Sequence, residues 1–385
     1  MKIVVVCTFF PSHLGGLEIV ATKLVRCFAD SGLGVTWFAS DTSPAPVMPE
    51  SCQVVPMPSY NWFERTWGIP YPIWAPTKFR VLSQKIKEAD LVHIHDCLYM
   101  PSILAFILGR IHQKPVIFTQ HIDLVPYKSM IPRLLMRLAS RWSSHLLTFA
   151  EATVFVGART KEYFLNFRTF PRPPSLIPNG VDQNIFTPVS PDIRRAIRRR
   201  LGFDPERPLN IFVGRFVEKK GLHLLRAIID GAPDAAWCFI GDGPIDPRQW
   251  KMPNVNCAGS LSQSDLVDYY RVADLLVLPS CGEGFPLVVQ EAMACGTPCL
   301  ISTETAQGLE QSPACIMTAP LTVPDFIKAV HGFYNKTDRQ RHGIRREVAE
   351  YASKAWDWNV TAAAYLRIFA NCLSKSENTI ANEAA

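Results

Sequence analysis

The apolar positions of this chain fall into two alternating patterns. Short runs of four or five mostly apolar residues, typical of strands buried in a parallel sheet, occur at 3–7, 35–39, 91–95, 115–119, 209–213, 236–240 and 275–278. Longer segments with apolar residues three and four positions apart separate many of these runs and predict helices, one of them from Gly15-Gly16 to about Asp30. Strands that alternate with helices indicate an α/β fold built on parallel sheets.

Length and local composition predict two domains. A chain of 385 residues fits two domains of about 170 residues each better than one core. The prolines at 171, 173, 174 and 178 indicate a boundary. We therefore expect an N-terminal domain over 1–175 and a second domain over 176–355. The segment 356–385 is expected to form a helix that crosses back to the first domain, with a polar, frayed tail from Ser374.

The net charge, the cysteines and the lengths of the apolar segments limit the classes of partner and the location that we expect for this protein. A net charge of +6 favours acidic small ligands or an anionic membrane surface over nucleic acid, which requires a denser basic stripe. The eleven cysteines are scattered without C-x-x-C pairs, so unpaired core thiols are expected. No segment reaches the ~18 apolar residues of a membrane helix. These features predict a cytoplasmic protein.

The segment 273–302, ADLLVLPSCGEGFPLVVQEAMACGTPCLIS, carries the strongest chemical signal. Its pattern predicts a strand, a loop, a helix that has Pro286 as its first residue and ends at Gly296, and a second strand. Glu283 lies in the loop, and Glu291 lies within a helix that is apolar on nearly every side. A buried carboxylate requires hydrogen-bond donors, which the hydroxyl groups of a ligand would supply.

The start of this predicted helix suits a phosphate. The backbone amide groups of Gly284, Phe285 and Leu287 open the helix, and free amides at a helix N-terminus bind anions. A phosphate seat beside carboxylates that accept from hydroxyls is typical of a nucleotide-sugar site. The segment therefore predicts such a site.

The motif E-G-F-P, with a second glutamate eight positions after the first and then A-x-G-T-P, resembles the E-x7-E signature of retaining family 4 glycosyltransferases. Further landmarks occur in the family's order: Gly15-Gly16, His121 after a strand, Ile177 to Asp182, Gly214-Arg215, Lys220-Gly221 and Gly241 to Pro244. The resemblance implies the GT-B fold, in which two Rossmann-like parallel-sheet domains face a deep interdomain cleft.

The resemblance also implies roles for individual residues. Catalytic roles fall to His121, Glu283, Arg215 and Lys220. Donor-binding roles fall to Gly15, Gly16, Gly214, Gly241, Gly243, Gly284, Phe285, Pro286, Leu287 and Glu291. Arginine and lysine would neutralise the leaving diphosphate, Glu283 would hold the sugar hydroxyls, and Glu291 the ribose hydroxyls. No D-x-D triplet occurs, so we expect neither a metal nor another cofactor.

The resulting functional prediction is a retaining glycosyltransferase that takes a nucleotide-diphosphate sugar, with UDP favoured and GDP possible. Its acceptor would be a hydroxyl of a glycan or a lipid-linked molecule in cell-surface polysaccharide or glycan synthesis. Two alternatives remain open: a nucleotide-sugar epimerase on the same fold, and a non-catalytic scaffold subunit of a polysaccharide assembly complex.

Three features allow two interpretations each, and the contacts of a fourth stay open. The aromatic segment 42–80 forms either a secondary cluster beneath a loop or an apolar surface for an acceptor or bilayer. The helix predicted at 129–148 has an arginine stripe beside an apolar one, which suits a solvated outer face or peripheral attachment to anionic lipid. His93 and His95 share a strand face, as zinc ligands or as polar strand-end residues. The segment Thr305 to Glu310 departs from the family pattern, which leaves its contacts open.

Overall fold

The computed structural model describes residues 1–11, 16–67, 70–122, 130–281, 284–310 and 313–383. It divides the chain into two compact units. The first consists of Met1–Asn179 together with Trp358–Ala385, and the second of Gly180–Asp357. The predicted boundaries at 175/176 and 355/356 lie within four residues of these divisions.

Fifteen strands occur in the described residues. They are β1 (Lys2–Phe9), β2 (Gly34–Ser40), β3 (Cys52–Met57), β4 (Ser59–Tyr60), β5 (Ile73–Trp74), β6 (Leu91–His95), β7 (Val116–Gln120), β8 (Ala152–Phe155), β9 (Ser175–Leu176), β10 (Leu209–Val213), β11 (Ala236–Ile240), β12 (Val255–Gly259), β13 (Leu275–Leu278), β14 (Cys299–Ser302) and β15 (Met317–Ala319). Each of the seven apolar runs forms a strand, which confirms the parallel-sheet prediction.

Helices connect these strands. They are α1 (Gly16–Asp30), α2 (Trp62–Trp67), α3 (Phe79–Glu88), α4 (Met100–Ile111), α5 (Met130–Thr148), α6 (Ala158–Leu165), α7 (Pro191–Arg200), α8 (Leu222–Asp230), α9 (Gln263–Val272), α10 (Leu287–Ala294), α11 (Thr303–Ala306), α12 (Val323–Tyr334), α13 (Asp338–Ala355) and α14 (Trp358–Glu383). Single 3₁₀ turns occupy Pro76–Lys78, Glu218–Lys220 and Pro247–Trp250. No helix in the described ranges combines the length and the apolar character needed to cross a membrane.

The first unit is built on a seven-stranded parallel sheet with the order β3-β2-β1-β6-β7-β8-β9. Its central strands are buried from end to end, so each is apolar on both faces. The helix α14 belongs to this unit, where Phe369 packs on Phe28 of α1 with ring centroids 5.1 Å apart. The helix α14 continues through 374–383, a segment that contains neither proline nor glycine to end it.

The second unit is built on a six-stranded parallel sheet with the order β12-β11-β10-β13-β14-β15. The connection from β12 to β13 crosses to the other side of β10, so the strand order reverses between β10 and β13. In the first unit the same reversal occurs between β1 and β6. Open α/β sheets bind ligands outside the carboxyl ends of the strands at such a reversal.

The structure also bears on the predictions for the cysteines and for the aromatic segment 42–80. All eleven cysteines are free thiols, as predicted. The aromatic segment divides between core and surface: Trp74 is buried and donates from its indole nitrogen to Ser40 Oγ at 2.9 Å, whereas Trp62 is exposed. Phe63 and Tyr71 pack edge to face at 6.3 Å. A single description as cluster or surface therefore does not fit the segment.

Candidate active site

Three predicted glycines bring the turns after β10 and β11 together. Gly214 has φ 146°, and a Cβ placed on Gly241 would lie 2.0 Å from its carbonyl oxygen. A Cβ on Gly243 would lie 2.6 Å from the carbonyl oxygen of Phe216. Real Cβ atoms do not approach oxygen so closely, so glycine is required at 241 and 243. The result is a surface of bare backbone at the carboxyl ends of β10 and β11.

Lys220 lies beside this surface. The next residue, Gly221, has φ 77°, and its Cα is so close to Pro279 that a Cβ would lie 2.0 Å from the Pro279 carbonyl oxygen. The backbone amide of Cys281 donates to the Lys219 carbonyl at 2.9 Å, which holds the Lys220 turn against the loop after β13. A Cβ on Gly214 would lie 3.6 Å from Cε of Lys220, so the lysine side chain passes directly over the bare turn.

Arg215 is placed differently. Its side chain is exposed and makes no hydrogen bond or ion pair with any described residue. The guanidinium is therefore available to an anion at the edge of the same turn, but no described residue fixes its orientation.

The turn before α10 differs from the prediction in where the helix begins. Pro286 is the N-cap, with φ −75° and ψ 129°, so the helix begins at Leu287 and the prediction that Pro286 is its first residue is wrong. The proline carbonyl accepts from the Val289 amide at 3.0 Å, and an extended ψ at the cap is what allows this bond. Phe285 is buried against Trp356, with ring centroids 5.5 Å apart, and anchors the turn.

Two of the predicted residues, Gly15 and Glu283, lie outside the described residues. Gly16 is the first residue of α1, as predicted. Gly284 is described and half-buried.

Glu291 is buried and already has protein donors. Its Oε2 accepts from the hydroxyl of Tyr270 at 2.9 Å, and its Oε1 accepts from Nε2 of Gln263 at 3.2 Å, both on α9. Burial, and then the neighbouring Glu291, raise the pKa of Tyr270 well above its usual value, so the phenol keeps its proton and donates. The expectation that ligand hydroxyls satisfy this carboxylate is therefore incomplete, because α9 supplies two of its bonds.

The segment after β14, whose contacts the sequence left open, supports the turn at Gly284. Ser302 caps α11 by accepting from the Thr305 amide at 3.0 Å, and both hydroxyls donate to the Ser280 carbonyl, at 2.6 and 3.0 Å. A Cβ on Gly308 would lie 1.7 Å from the carbonyl oxygen of Gly284. The sequence signal for this support is the serine–threonine cap spacing at 302 and 305, which our sequence reasoning did not use.

A second polar cluster lies at the carboxyl ends of β6 and β7 in the first unit. His121 is buried, and its Nε2 lies 2.9 Å from Nδ1 of His95, with the two ring planes nearly parallel at 16°. The His121 backbone amide donates to Asp96 Oδ1 at 2.8 Å. On the same face of β6, His93 Nε2 lies 2.8 Å from Thr119 Oγ1. The predicted polar strand-end residues thus form one connected group.

Burial sets the protonation of this cluster. It lowers the pKa of His93 and of His121 to about 3 and that of His95 well below its usual value, so all three imidazoles are neutral. Burial also raises the pKa of Asp96 to about 7. His95 Nε2 and Asp96 Oδ2 are buried and have no hydrogen-bond partner within the described residues. Unpartnered buried polar atoms are costly, and a polar ligand at this edge would satisfy them.

The described residues contain no candidate metal centre. No group of three or more histidine, cysteine, aspartate or glutamate side chains in those residues is arranged to hold a metal ion.

Two family models match successive parts of the chain. The model described as Glycosyltransferase Family 4 matches residues 14–185, and the model described as Glycosyl transferases group 1 matches residues 207–336. The first match falls mainly in the first unit and the second falls within the second unit.

Individual relatives agree with these models. TuaC of Bacillus subtilis, named as a putative teichuronic acid biosynthesis glycosyltransferase, is 28% identical over 63% of this chain and 62% of its own length. A sulfoquinovosyl transferase of Arabidopsis thaliana is 27% identical over 76% of this chain and 60% of its own length. The chain thus spans about 60% of the length of these curated relatives.

Solved structures share the fold. A sucrose-phosphate synthase from Thermosynechococcus elongatus superposes with a TM-score of 0.75 at 20% identity, over 97% of this chain and 100% of that one. Anabaena HepE in complex with UDP-glucose superposes with a TM-score of 0.73 at 18% identity, over 95% and 99%. By both family models and by its relatives, the chain belongs to the family 4 glycosyltransferases, and its likeness to the solved structures shows the GT-B fold.

Proposed function

We propose that the protein transfers a sugar from a nucleotide-diphosphate donor to an acceptor hydroxyl with retention of the anomeric configuration. The observation that carries this proposal is the convergence of the bare Gly214 turn, Lys220 and the start of α10 at the carboxyl ends of β10 and β13. A lysine, an accessible arginine and backbone amides at one point are the groups that bind a diphosphate. UDP is the favoured nucleotide and GDP the second choice.

The proposed roles of the site residues follow from the charges that develop as the sugar leaves the diphosphate. Departure of the nucleoside diphosphate leaves an oxocarbenium-like sugar, and the growing negative charge requires stabilisation. Arg215, Lys220 and the amides at the start of α10 would supply it without a metal. Glu291, held by Tyr270, would accept from the ribose hydroxyls, and Glu283 from those of the sugar. His121 is neutral, so it would contact the sugar as a hydrogen-bonding group and not as a cation. We favour attack on the face that the diphosphate leaves, assisted by that phosphate.

We propose a glycan or lipid-linked acceptor, reached from the surface of an anionic membrane. The helix α5 supports this, because four of its large apolar side chains are exposed: Met130 (82%), Leu134 (59%), Leu138 (57%) and Trp142 (62%). They recur every four residues and therefore form one stripe. Arg137 and Arg141 are exposed beside the stripe, and the sequence of α5 contains no acidic residue. The name of one curated relative, a putative teichuronic acid biosynthesis glycosyltransferase, agrees with a glycan acceptor.

The test is release of UDP from UDP-sugars by the purified protein, with and without a membrane extract as acceptor. Acceptor-dependent release supports transfer, whereas product without acceptor supports the epimerase alternative and no product supports the scaffold. The Lys220→Ala variant should lose this release. The Arg226→Ala variant, which removes an exposed charge from α8, should keep it.

A further inference from the structure

The second unit has an arginine-lined cavity of about 810 Å³ at the amino ends of β10 and β13. We call it the arginine cavity, after its six arginine residues Arg194, Arg195, Arg198, Arg341, Arg345 and Arg346. They come from α7 and α13. The proposed donor site lies at the carboxyl ends of the same strands, so these arginines have no part in it.

The floor of the arginine cavity, formed by Arg194, Arg198, Arg345 and Asp274, has more positive than negative charge. Asp274 Oδ1 accepts from Arg194 at 2.6 Å, and Asp274 Oδ2 accepts from Arg198 at 2.7 Å and from the Leu209 amide at 2.8 Å. Arg345 donates instead to the backbone carbonyls of residues 273 and 271, at 2.7 and 3.1 Å. Three guanidinium groups thus surround one half-buried carboxylate. The other acidic side chains of the lining belong to exposed residues: Glu206, Asp338 and Glu350.

Donor groups remain unused on this floor. Arg194 bonds through Nε and Nη2, and Arg345 through Nη1 and Nη2, so Nη1 of Arg194 and Nε of Arg345 donate to no described residue. Burial, and then the neighbouring Arg194, lower the pKa of Arg345 to about 9. The charge of Arg345 is therefore less well stabilised here than in water, and a bound anion would reverse that deficit.

We propose that the arginine cavity binds a small molecule that carries a phosphate group. Guanidinium groups match phosphate oxygens with paired hydrogen bonds, and a cavity of about 810 Å³ is of the size that accepts small ligands. Cys295 and Gly296, which follow the carboxyl end of α10, line the cavity, while the amino end of α10 forms the proposed phosphate seat. One helix therefore touches both sites. This inference goes beyond the proposed transfer reaction.

Inorganic phosphate is the probe for this site. The full chain with Arg215→Ala and Lys220→Ala is titrated with phosphate against sodium chloride of equal ionic strength, so that binding at the proposed donor site does not contribute. We expect a saturable rise in Tm of about 2–4 °C. Arg345→Lys keeps the charge but loses the unused Nε donor and should weaken phosphate binding about tenfold. Arg199→Gln removes an exposed charge of α7 that does not line the cavity and should have no effect.

The double variant Arg195→Gln/Arg346→Gln tests the site without changing a buried residue, because both side chains are exposed at the cavity rim. It should fold and bind phosphate at least threefold more weakly. Two results would overturn the proposal. The first is no saturable shift with all six arginines intact. The second is equal phosphate affinity in Arg199→Gln, in the rim variant and in Arg345→Lys, which would place the bound phosphate outside the arginine cavity.

Discussion

Gly308 lies against Gly284 so closely that a Cβ on Gly308 would be 1.7 Å from the Gly284 carbonyl oxygen. An alanine at 308 must therefore displace one of the two loops, and the loop at Gly284 leads into the proposed phosphate seat of α10. We predict that Gly308→Ala weakens UDP binding at least tenfold, about 1.4 kcal/mol, as measured by isothermal titration calorimetry.

The matched control is Gly332→Ala. A Cβ on Gly332 meets nothing within 4 Å, and the residue lies in α12. This variant should leave the Kd for UDP unchanged and raise the free energy of unfolding by up to about 1 kcal/mol, because alanine favours a helix. Equal UDP affinity in both variants would show that the contact between the two loops does not shape the site.

Tyr270→Phe should destabilise the second unit. The substitution removes the donor at 2.9 Å from Glu291 and leaves a buried carboxylate with one fewer hydrogen bond. A lost bond to a charged group costs about 1.5–3 kcal/mol in the free energy of unfolding, which denaturant titration measures. Its neighbour supplies the control: the hydroxyl of Tyr269 makes no hydrogen bond with a described residue, so Tyr269→Phe should cost less than about 0.5 kcal/mol. Equal losses in the two variants would contradict the prediction.

Asp96→Asn should change the pH dependence of stability. The folded-state pKa of Asp96 is about 7, above its ordinary 3.8, so the folded protein binds this proton more tightly than the unfolded chain. The stability that Asp96 contributes is therefore complete below about pH 4 and is lost as the pH rises to about 7. Asparagine cannot ionise, and it tolerates the φ of 57° found at this position.

The difference in unfolding free energy between Asp96→Asn and the wild type should thus grow in favour of the variant from about pH 4 to 7. It should level off above that, at up to about 1.4 kcal/mol per unit of pKa shift. The histidine pKa values, lowered to about 3, act in the opposite direction, but both proteins contain them, so they largely cancel in the difference. A difference that does not vary with pH would contradict the raised pKa. Asp230→Asn, at the exposed end of α8, is the control.

Local patterns predicted eight of the fifteen described strands, β1, β2, β6, β7, β10, β11, β13 and β14, but not the arrangement of the site. Leu275–Leu278 was predicted to the residue because the apolar run stops at a proline. The start of α10 was missed by one residue, since proline suits both the N-cap and the first helical position. The partners of Glu291 could not be predicted, because Tyr270 lies on another helix, 21 residues away. The contact between Gly308 and Gly284 depends on how two loops pack, which no spacing in the sequence encodes.

The exposed stripe of α5 predicts binding to anionic vesicles. Trp142→Glu places a negative charge within the stripe and removes its largest apolar side chain, so it should weaken binding to phosphatidylglycerol vesicles at least tenfold in a co-sedimentation assay. Binding of the wild type should fall as salt is added, because Arg137 and Arg141 supply the attraction. Trp62→Glu is the control, since Trp62 is also exposed but lies on α2. Loss of binding in Trp62→Glu with none in Trp142→Glu would assign membrane contact to the aromatic segment and refute the role of α5.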